Sequence, residues 1–324
     1  VTSYLLAGLL LIRQPYALLL AVVMTFSLAV TANAAEETAQ DLDGDIVILH
    51  TNDVHGAISG YAKVAALKDA YEARGAYVLL MDAGDFIQGD PTVSTSEGAT
   101  AVELMNLAGY DVASMGNHEF DYGYQNLKDL EADADFTIVD ANVLYNGQVA
   151  FEDNVVFTAP DGTKIGVFGL DTPETATKAH PAKIQGVTFM AKDELYNFAT
   201  QEAAALKKGG ADVVIALTHL GVDEESNPNR STDLYARSTG IDFIIDGHSH
   251  TVMTEGENKE PIQSTGTALE NVGVIVIDNA TKKIEKNELV KLEGVKAEDE
   301  TVKALSDKII TDVDTRLGEV FAKT

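Results

Sequence analysis

Asp111-Val112-Ala113-Ser114-Met115 is an apolar run, and Gly116-Asn117-His118-Glu119-Phe120-Asp121 follows it directly. The run has the length and composition of a buried strand, and a helix-like stretch begins at Tyr124. The hexapeptide therefore stands where a strand ends and a loop begins. In open α/β sheets that edge is where binding and chemistry collect. Asn117, His118 and Asp121 put an amide oxygen, an imidazole and a carboxylate within one turn. Alone, this could equally be a polar turn around a hydrogen-bonded histidine. Recurrence of the pattern along the chain decides the reading.

Ile46-Val47-Ile48-Leu49 is an apolar run that delivers Asn52-Asp53-Val54-His55, and Tyr77-Val78-Leu79-Leu80-Met81 ends in Asp82-Ala83-Gly84-Asp85. Asp212 to Leu217 ends in Thr218-His219, and Asp242-Phe243-Ile244-Ile245 ends in Asp246-Gly247-His248-Ser249-His250. Phe136 to Val139 leads to Asp140-Ala141-Asn142, and Lys164 to Leu170 leads to Asp171. Between these runs, apolar residues at helical spacing predict helices over Tyr61–Ala73, Ala99–Leu107 and Lys192–Lys207, with a further acidic helix from about Glu298. Strands alternating with helices predict an α/β architecture. Continuous apolar strands predict sheets covered on both faces. Around Val155, and over Gly273–Ile277 and Ile284–Leu292, strand-like runs follow one another without helices, which predicts antiparallel additions and a mixed sheet. No internal repeat, low-complexity tract or Pro-rich linker divides residues 35–324, so one domain is expected there.

Five of the 7 histidines, His55, His118, His219, His248 and His250, fall at such strand ends. Residues two apart share a side at a strand end, so Asp53 with His55, and His248 with His250, can each point into one site. With Asp85, Asn117 and His219 these are too many ligands for one metal ion and enough for two. Two ions about 3.5–4 Å apart need a bridging carboxylate, and Asp85, alone at its strand end, suits that place. The chain has no cysteine, which excludes disulfides, thiolate metal sites and thiol nucleophiles. Oxygen and imidazole ligands suit Zn, Mn, Co, Fe or Mg. Lys and Arg number 23 against 51 Asp and Glu, a net charge of −28, so nucleic acid polymers and anionic membranes are repelled. Small phosphorylated substrates are repelled too unless bound cations invert the local field.

The N-terminus reads as a targeting segment. Arg13 precedes an apolar run from Pro15 to Val30, and Thr31-Ala32-Asn33-Ala34 supplies a small-x-small cleavage pattern. A secretory signal over residues 1–34, cut after Ala34, is the expectation; an uncleaved membrane anchor is the alternative. The expected location is secreted, periplasmic or cell-surface.

Taken together, Asn52-Asp53-Val54-His55-Gly56, Gly84-Asp85-Phe86-Ile87-Gln88-Gly89, Gly116-Asn117-His118-Glu119-Phe120-Asp121, Thr218-His219 and Gly247-His248-Ser249-His250 resemble the calcineurin-like metallophosphoesterases, and in wording their 5′-nucleotidase branch. The resemblance runs from about Asp45 to Leu292. It implies a sandwich of mixed β-sheets flanked by helices (αββα) and two divalent metal ions. One would be held by Asp53, His55, Asp85 and His250, the other by Asp85, Asn117, His219 and His248. His118 would face the phosphate, backed by Asp121, with Asn117 also touching substrate. Hydrolysis of nucleotide phosphate monoesters by a metal-bridging water is the implied activity. Nucleotide-sugar diphosphatase or 2′,3′-cyclic phosphodiesterase activity, and a non-catalytic secreted binding module, are the alternatives.

The 5′-nucleotidases also carry a C-terminal domain that binds the nucleoside. This chain ends about where the linker to it would begin, so that substrate domain is expected to be missing from it. His50 is expected to be packed, His180 to lie in a surface turn, and Glu119 to support its neighbours by hydrogen bonding.

Overall fold

The computed structural model describes residues 42–319. The targeting segment expected over residues 1–34 lies outside the described residues.

Two six-stranded sheets face each other. The first holds β1 (Ile46–Thr51), β2 (Tyr77–Asp82), β3 (Val112–Ala113), β4 (Thr137–Ile138), β14 (Asn271–Ile277) and β15 (Ile284–Lys291), in the order β15-β14-β1-β2-β3-β4. The second holds β7 (Asn154–Thr158), β8 (Lys164–Asp171), β10 (Val213–His219), β11 (Phe243–Ile245), β12 (Val252–Met253) and β13 (Ile262–Thr265), in the order β12-β13-β11-β10-β8-β7. A small third sheet orders β6 (Gln148–Val149), β5 (Val143–Tyr145) and β9 (Val187–Phe189) as β6-β5-β9. The helices are α1 (Tyr61–Glu72), α2 (Pro91–Ser94), α3 (Ala99–Ala108), α4 (Tyr124–Asp133), α5 (Thr175–Lys178), α6 (Asp193–Lys208), α7 (Ser231–Arg237) and α8 (Glu300–Leu317).

Alternation along the strands builds three apolar layers. In β1, Ile46 and Ile48 face the middle layer with Ile165, Val167, Ile215 and Leu217 of the second sheet. Val47 and Leu49 face outward, into a core shared with Tyr61, Val102, Leu104 and Ile309 of α1, α3 and α8. In β10, Val213, Ile215 and Leu217 point to the middle, whereas Val214 and Ala216 pack with Leu195, Ala199 and Leu206 of α6. Both faces of each central strand are thus buried. This is why the runs carry no polar alternation, and the architecture is the expected αββα sandwich.

The pairing is mixed, as expected. Strands β1 to β4 run parallel, as do β8, β10, β11 and β13, while β14 adds antiparallel beside β1, β15 antiparallel beside β14, and β7 antiparallel beside β8. Two strands are shorter than their apolar runs. The ladder of β3 with β2 ends at Asp82↔Ala113, because beyond Asp82 the neighbouring chain turns away at Gly84, whose φ is +91°. Ser114 and Met115 therefore leave the sheet, and β4, pairing only with the short β3, is cut equally short.

Candidate metal centre

The parallel strands of both sheets end at one edge, and the loops after β1, β2, β3, β10 and β11 meet there. Oxygen and nitrogen atoms of Asp53, His55 and His250 lie within 4.8 Å of one another, and so do those of Asp53, Asp85 and His219. Asp53 Oδ1 is 3.3 Å from His250 Nε2 and 3.8 Å from both His55 Nε2 and His219 Nε2. Asp85 Oδ2 is 3.0 Å from His219 Nε2 and 3.7 Å from His55 Nε2, so it spans the two groups. His248 lies beside them, its ring centroid 5.1 Å from that of His219. Asn117 is buried, and its Oδ1 has no partner.

Holding these side chains inward requires unusual backbone. Asp53, His55, Asp85, His248 and His250 have φ of 49°, 47°, 63°, 74° and 51°. A non-glycine residue in this region costs of order 1–3 kcal/mol, and such residues cluster at functional sites. Two glycines permit the close approach. A Cβ on Gly116 would stand 2.3 Å from Asp85 Oδ1 and 2.7 Å from His219 Nε2, and one on Gly84 would stand 2.5 Å from the Gly116 nitrogen.

The hydrogen bonds fix which ring nitrogens are free. His219 Nδ1 is 2.6 Å from the Ala83 carbonyl, and His55 Nδ1 is 3.3 Å from the Gln88 carbonyl. A carbonyl only accepts, so each Nδ1 carries the proton and each Nε2 presents a lone pair. His219 Nε2 makes no hydrogen bond although Asp85 Oδ2 is 3.0 Å away. Two acceptors at that distance repel unless a proton or a metal cation stands between them. His250 Nε2 stands 3.2 Å from His55 Nε2 and can donate to it in the metal-free protein, a proton occupying the place a cation would take. Acceptors without donors are the arrangement that suits divalent cations.

The protein's electrostatics agree. Burial opposes charging of His219, but Asp85 and Asp53 outweigh it and raise its pKa well above the usual imidazole value. Burial likewise opposes ionisation of Asp85, and His219, His118 and His55 outweigh it, holding the carboxyl below its ordinary range. The cluster thus attracts positive charge, and without metal ions protons supply it. His248 shifts the other way, down to about 4, through burial and the charges of His219 and Lys178. It stays neutral, as a ligand must be.

His118 is set apart. Its Nδ1 donates to Asp121 Oδ2 at 2.7 Å, and that bond chiefly raises its pKa. Its ring is edge-on to His55 at 5.4 Å, and its backbone N–H donates to Asp85 Oδ1 at 2.9 Å.

The supporting shell contains residues the sequence reading did not single out. Asn52 donates to Asp53 Oδ2 at 2.6 Å and to the Gly266 carbonyl at 2.9 Å, and accepts from the Thr265 backbone at 2.9 Å. Glu174 lies 3.2 Å from His248 Nε2. Asn52 lies in a strand-end motif, but its bonds to Thr265 and Gly266, like Glu174's to His248, join residues distant in sequence. Glu119 supports its neighbours as expected: fully buried, it accepts from the backbone N–H groups of Gly116, Asp85 and Phe86 at 2.6, 2.8 and 2.8 Å. Burial and Asp85 push its carboxyl up to about 7. Asp82 and Asp246 hold turns: Asp82 accepts from Thr51 and Gly84, Asp246 from Thr218 and Leu220. Asp140 is buried with both carboxylate oxygens unpartnered, and Asn142 bonds to Asp171. His50 is packed against Gln263, and His180 is exposed in a turn.

A two-sheet sandwich whose strand ends converge on carboxylates and imidazoles defines a candidate metal centre. The sequence model for calcineurin-like phosphoesterases matches residues 46–252, and the chain belongs to that family. It is 32% identical over 255 residues to a 5′-nucleotidase of Vibrio cholerae, covering 71% of this chain and 46% of that protein. It is 31% identical over 254 residues to the trifunctional nucleotide phosphoesterase YfkN of Bacillus subtilis, covering 67% of this chain and 17% of that protein. The crystal structure of a calcineurin-like phosphoesterase portion of YfkN superposes with a TM-score of 0.73 at 25% identity, over 85% of this chain and 99% of that one. The chain spans less than half the length of these curated relatives.

Proposed function

We propose that the chain hydrolyses phosphate monoesters of nucleotides with two bound divalent cations. The observation that carries this is the convergence of two ligand groups, Asp53 with His55 and His250, and Asp53 with Asp85 and His219, whose oxygen and nitrogen atoms each lie within 4.8 Å of one another. Asp53, His55, Asp85 and His250 would hold one cation; Asp85, Asn117, His219 and His248 would hold the other. Such a pair, when bound, would supply Lewis acidity and lower the pKa of a bound water.

The chain's own residues do the rest. Asp121 fixes His118 with its proton on Nδ1, leaving Nε2 toward the site. Once protonated, His118 offers an N–H at Nε2 to the phosphoryl group or leaving oxygen, and the bond to Asp121 shifts its pKa upward, toward that form. Asn117 offers its amide to the same group. Buried Glu119 keeps both ligand loops in register without touching substrate.

Relatives named as a 5′-nucleotidase and as a trifunctional nucleotide phosphoesterase support nucleotides as the substrate class. Nucleotide-sugar diphosphates and 2′,3′-cyclic phosphodiesters are the alternative substrates. A signal over residues 1–34 and one catalytic domain over 35–324 complete the proposal and place the protein outside the cytoplasm. Among the described residues no helix is long and apolar enough to cross a membrane.

The test is elemental analysis beside turnover. The purified chain should carry about two divalent ions and release phosphate from nucleoside monophosphates, and chelator should abolish release until Mn or Zn is restored. Absence of metal together with indifference to chelator would end this reading. Turnover lost in Asp85→Ala would exclude a non-catalytic binding module. An assay across monophosphates, nucleotide sugars, cyclic nucleotides and an aryl phosphate separates the substrate classes.

A further inference from the structure

The segment after β8 brings a carboxylate and an ammonium to the outer side of His248. Glu174 Oε2 is 3.2 Å from His248 Nε2, and Lys178 Nζ is 3.3 Å from the same nitrogen. Glu174 and Lys178 pair with each other at 2.8 Å. These neighbours demand opposite things of Nε2. A carboxylate accepts only, so it needs Nε2 to carry a proton; an ammonium donates only, so it needs Nε2 bare. A neutral imidazole has one proton, and whichever nitrogen lacks it can bind a cation. With Nε2–H given to Glu174, the lone pair is on Nδ1. With Nε2 accepting from Lys178, Nδ1 is protonated and useless as a ligand. Glu174 is the group that can settle this, because at 2.8 Å it also draws the ammonium to itself.

We propose that Glu174 is a positioning residue for the second cation: it takes the Nε2 proton of His248, leaving the Nδ1 lone pair for the ion, and restrains Lys178 from claiming Nε2. This rests on the assignment of His248 as a ligand. Lys178 is then a competitor held in check, and the pair sets how readily the second position fills.

The test uses Mn(II) titration of the whole chain and 15N spectra of the metal-free protein. Wild-type His248 should show the Nε2–H tautomer. Glu174→Ala should weaken the second Mn(II) about 10–100-fold with the first unchanged, the size expected when a group behind a ligating histidine is lost. The unchanged first site reports an intact fold. Glu174→Gln, whose amide oxygen still accepts, should recover most of the affinity. Lys178→Ala should bind as wild type, and Glu174→Ala with Lys178→Ala should bind better than Glu174→Ala alone. An Nδ1–H tautomer in the wild type, equal losses in Glu174→Ala and Glu174→Gln, or undiminished second-site affinity in Glu174→Ala would each overturn the proposal. His248→Ala separates the two levels. If it still binds two Mn(II), the ligand assignment itself fails; if it loses the second while Glu174→Ala does not, only the role of Glu174 falls.

Discussion

His118 differs from the other strand-end histidines in what its nitrogens face. His55 and His219 give Nδ1 to backbone carbonyls and aim Nε2 at carboxylates, whereas His118 gives Nδ1 to Asp121. It should therefore matter to turnover and not to metal content. His118→Ala is expected to lower kcat by about 10²–10⁴, the usual contribution of a general acid–base group, with two ions per chain still found by elemental analysis. A stoichiometric loss of metal would reverse its role. Gly116→Ala should show the opposite pattern. The new Cβ, 2.3 Å from Asp85 Oδ1, must displace a carboxylate placed between the two groups of ligands, so metal binding falls and turnover falls with it. Calorimetric titration with Mn compares the two variants directly. Strand ends made these ligands legible in the sequence, since each follows an apolar run. The left-handed backbone at Asp53, His55, Asp85, His248 and His250 was not legible, because no residue there is glycine.

At the scale of elements, Glu119 joins the loop after β2 to the loop after β3. Four backbone N–H groups, on Gly116, Asp85, Phe86 and Ile87, converge on one buried carboxylate. Glu119→Ala would leave them unsatisfied, at about 1–3 kcal/mol for each group that water cannot reach. Denaturant unfolding should show a loss of about 3 kcal/mol or more, and the chelated protein should lose as much as the loaded one. A loss confined to the loaded protein would make Glu119 part of the metal site rather than its scaffold. Central elements were legible because burial on both faces left uninterrupted apolar runs, as in β1, β2 and β10. The small sheet β6-β5-β9 and strand β13 were not: Gln148–Val149 and Val143–Tyr145 are too short and too mixed to show a period, and Ile262-Gln263-Ser264-Thr265 buries polar residues for pairing with distant partners.

For the whole molecule, the seam between the sheets carries one buried base away from the metal site. His50 of β1 bonds to Gln263 of β13 at 2.7 Å, and burial pushes its imidazole down from 6.5 to about 4. Below pH 6.5 the unfolded chain takes up a proton that the folded chain refuses. The contribution is whole above that pH and is lost as pH falls toward about 4, about 3 kcal/mol in all. Unfolding of the chelated protein at pH 7.5 and 4.5 should show a smaller pH difference for His50→Leu than for wild type; equal differences would remove His50 as the cause. That seam also has an order in the chain. The second sheet is drawn from residues 154–265, between the two parts of the first, and β1 pairs with β14 only over 273–277. The carbonyl of Asp53 is held by Thr267 and Ala268, and Asn52 by Thr265. A nascent chain has thus released His250, the last of its candidate ligands, before the strand that closes β1 has been translated. Until β14 pairs with β1 the first sheet has an open edge beside Asp53, so the ligand site is closed by a strand that contributes no ligand.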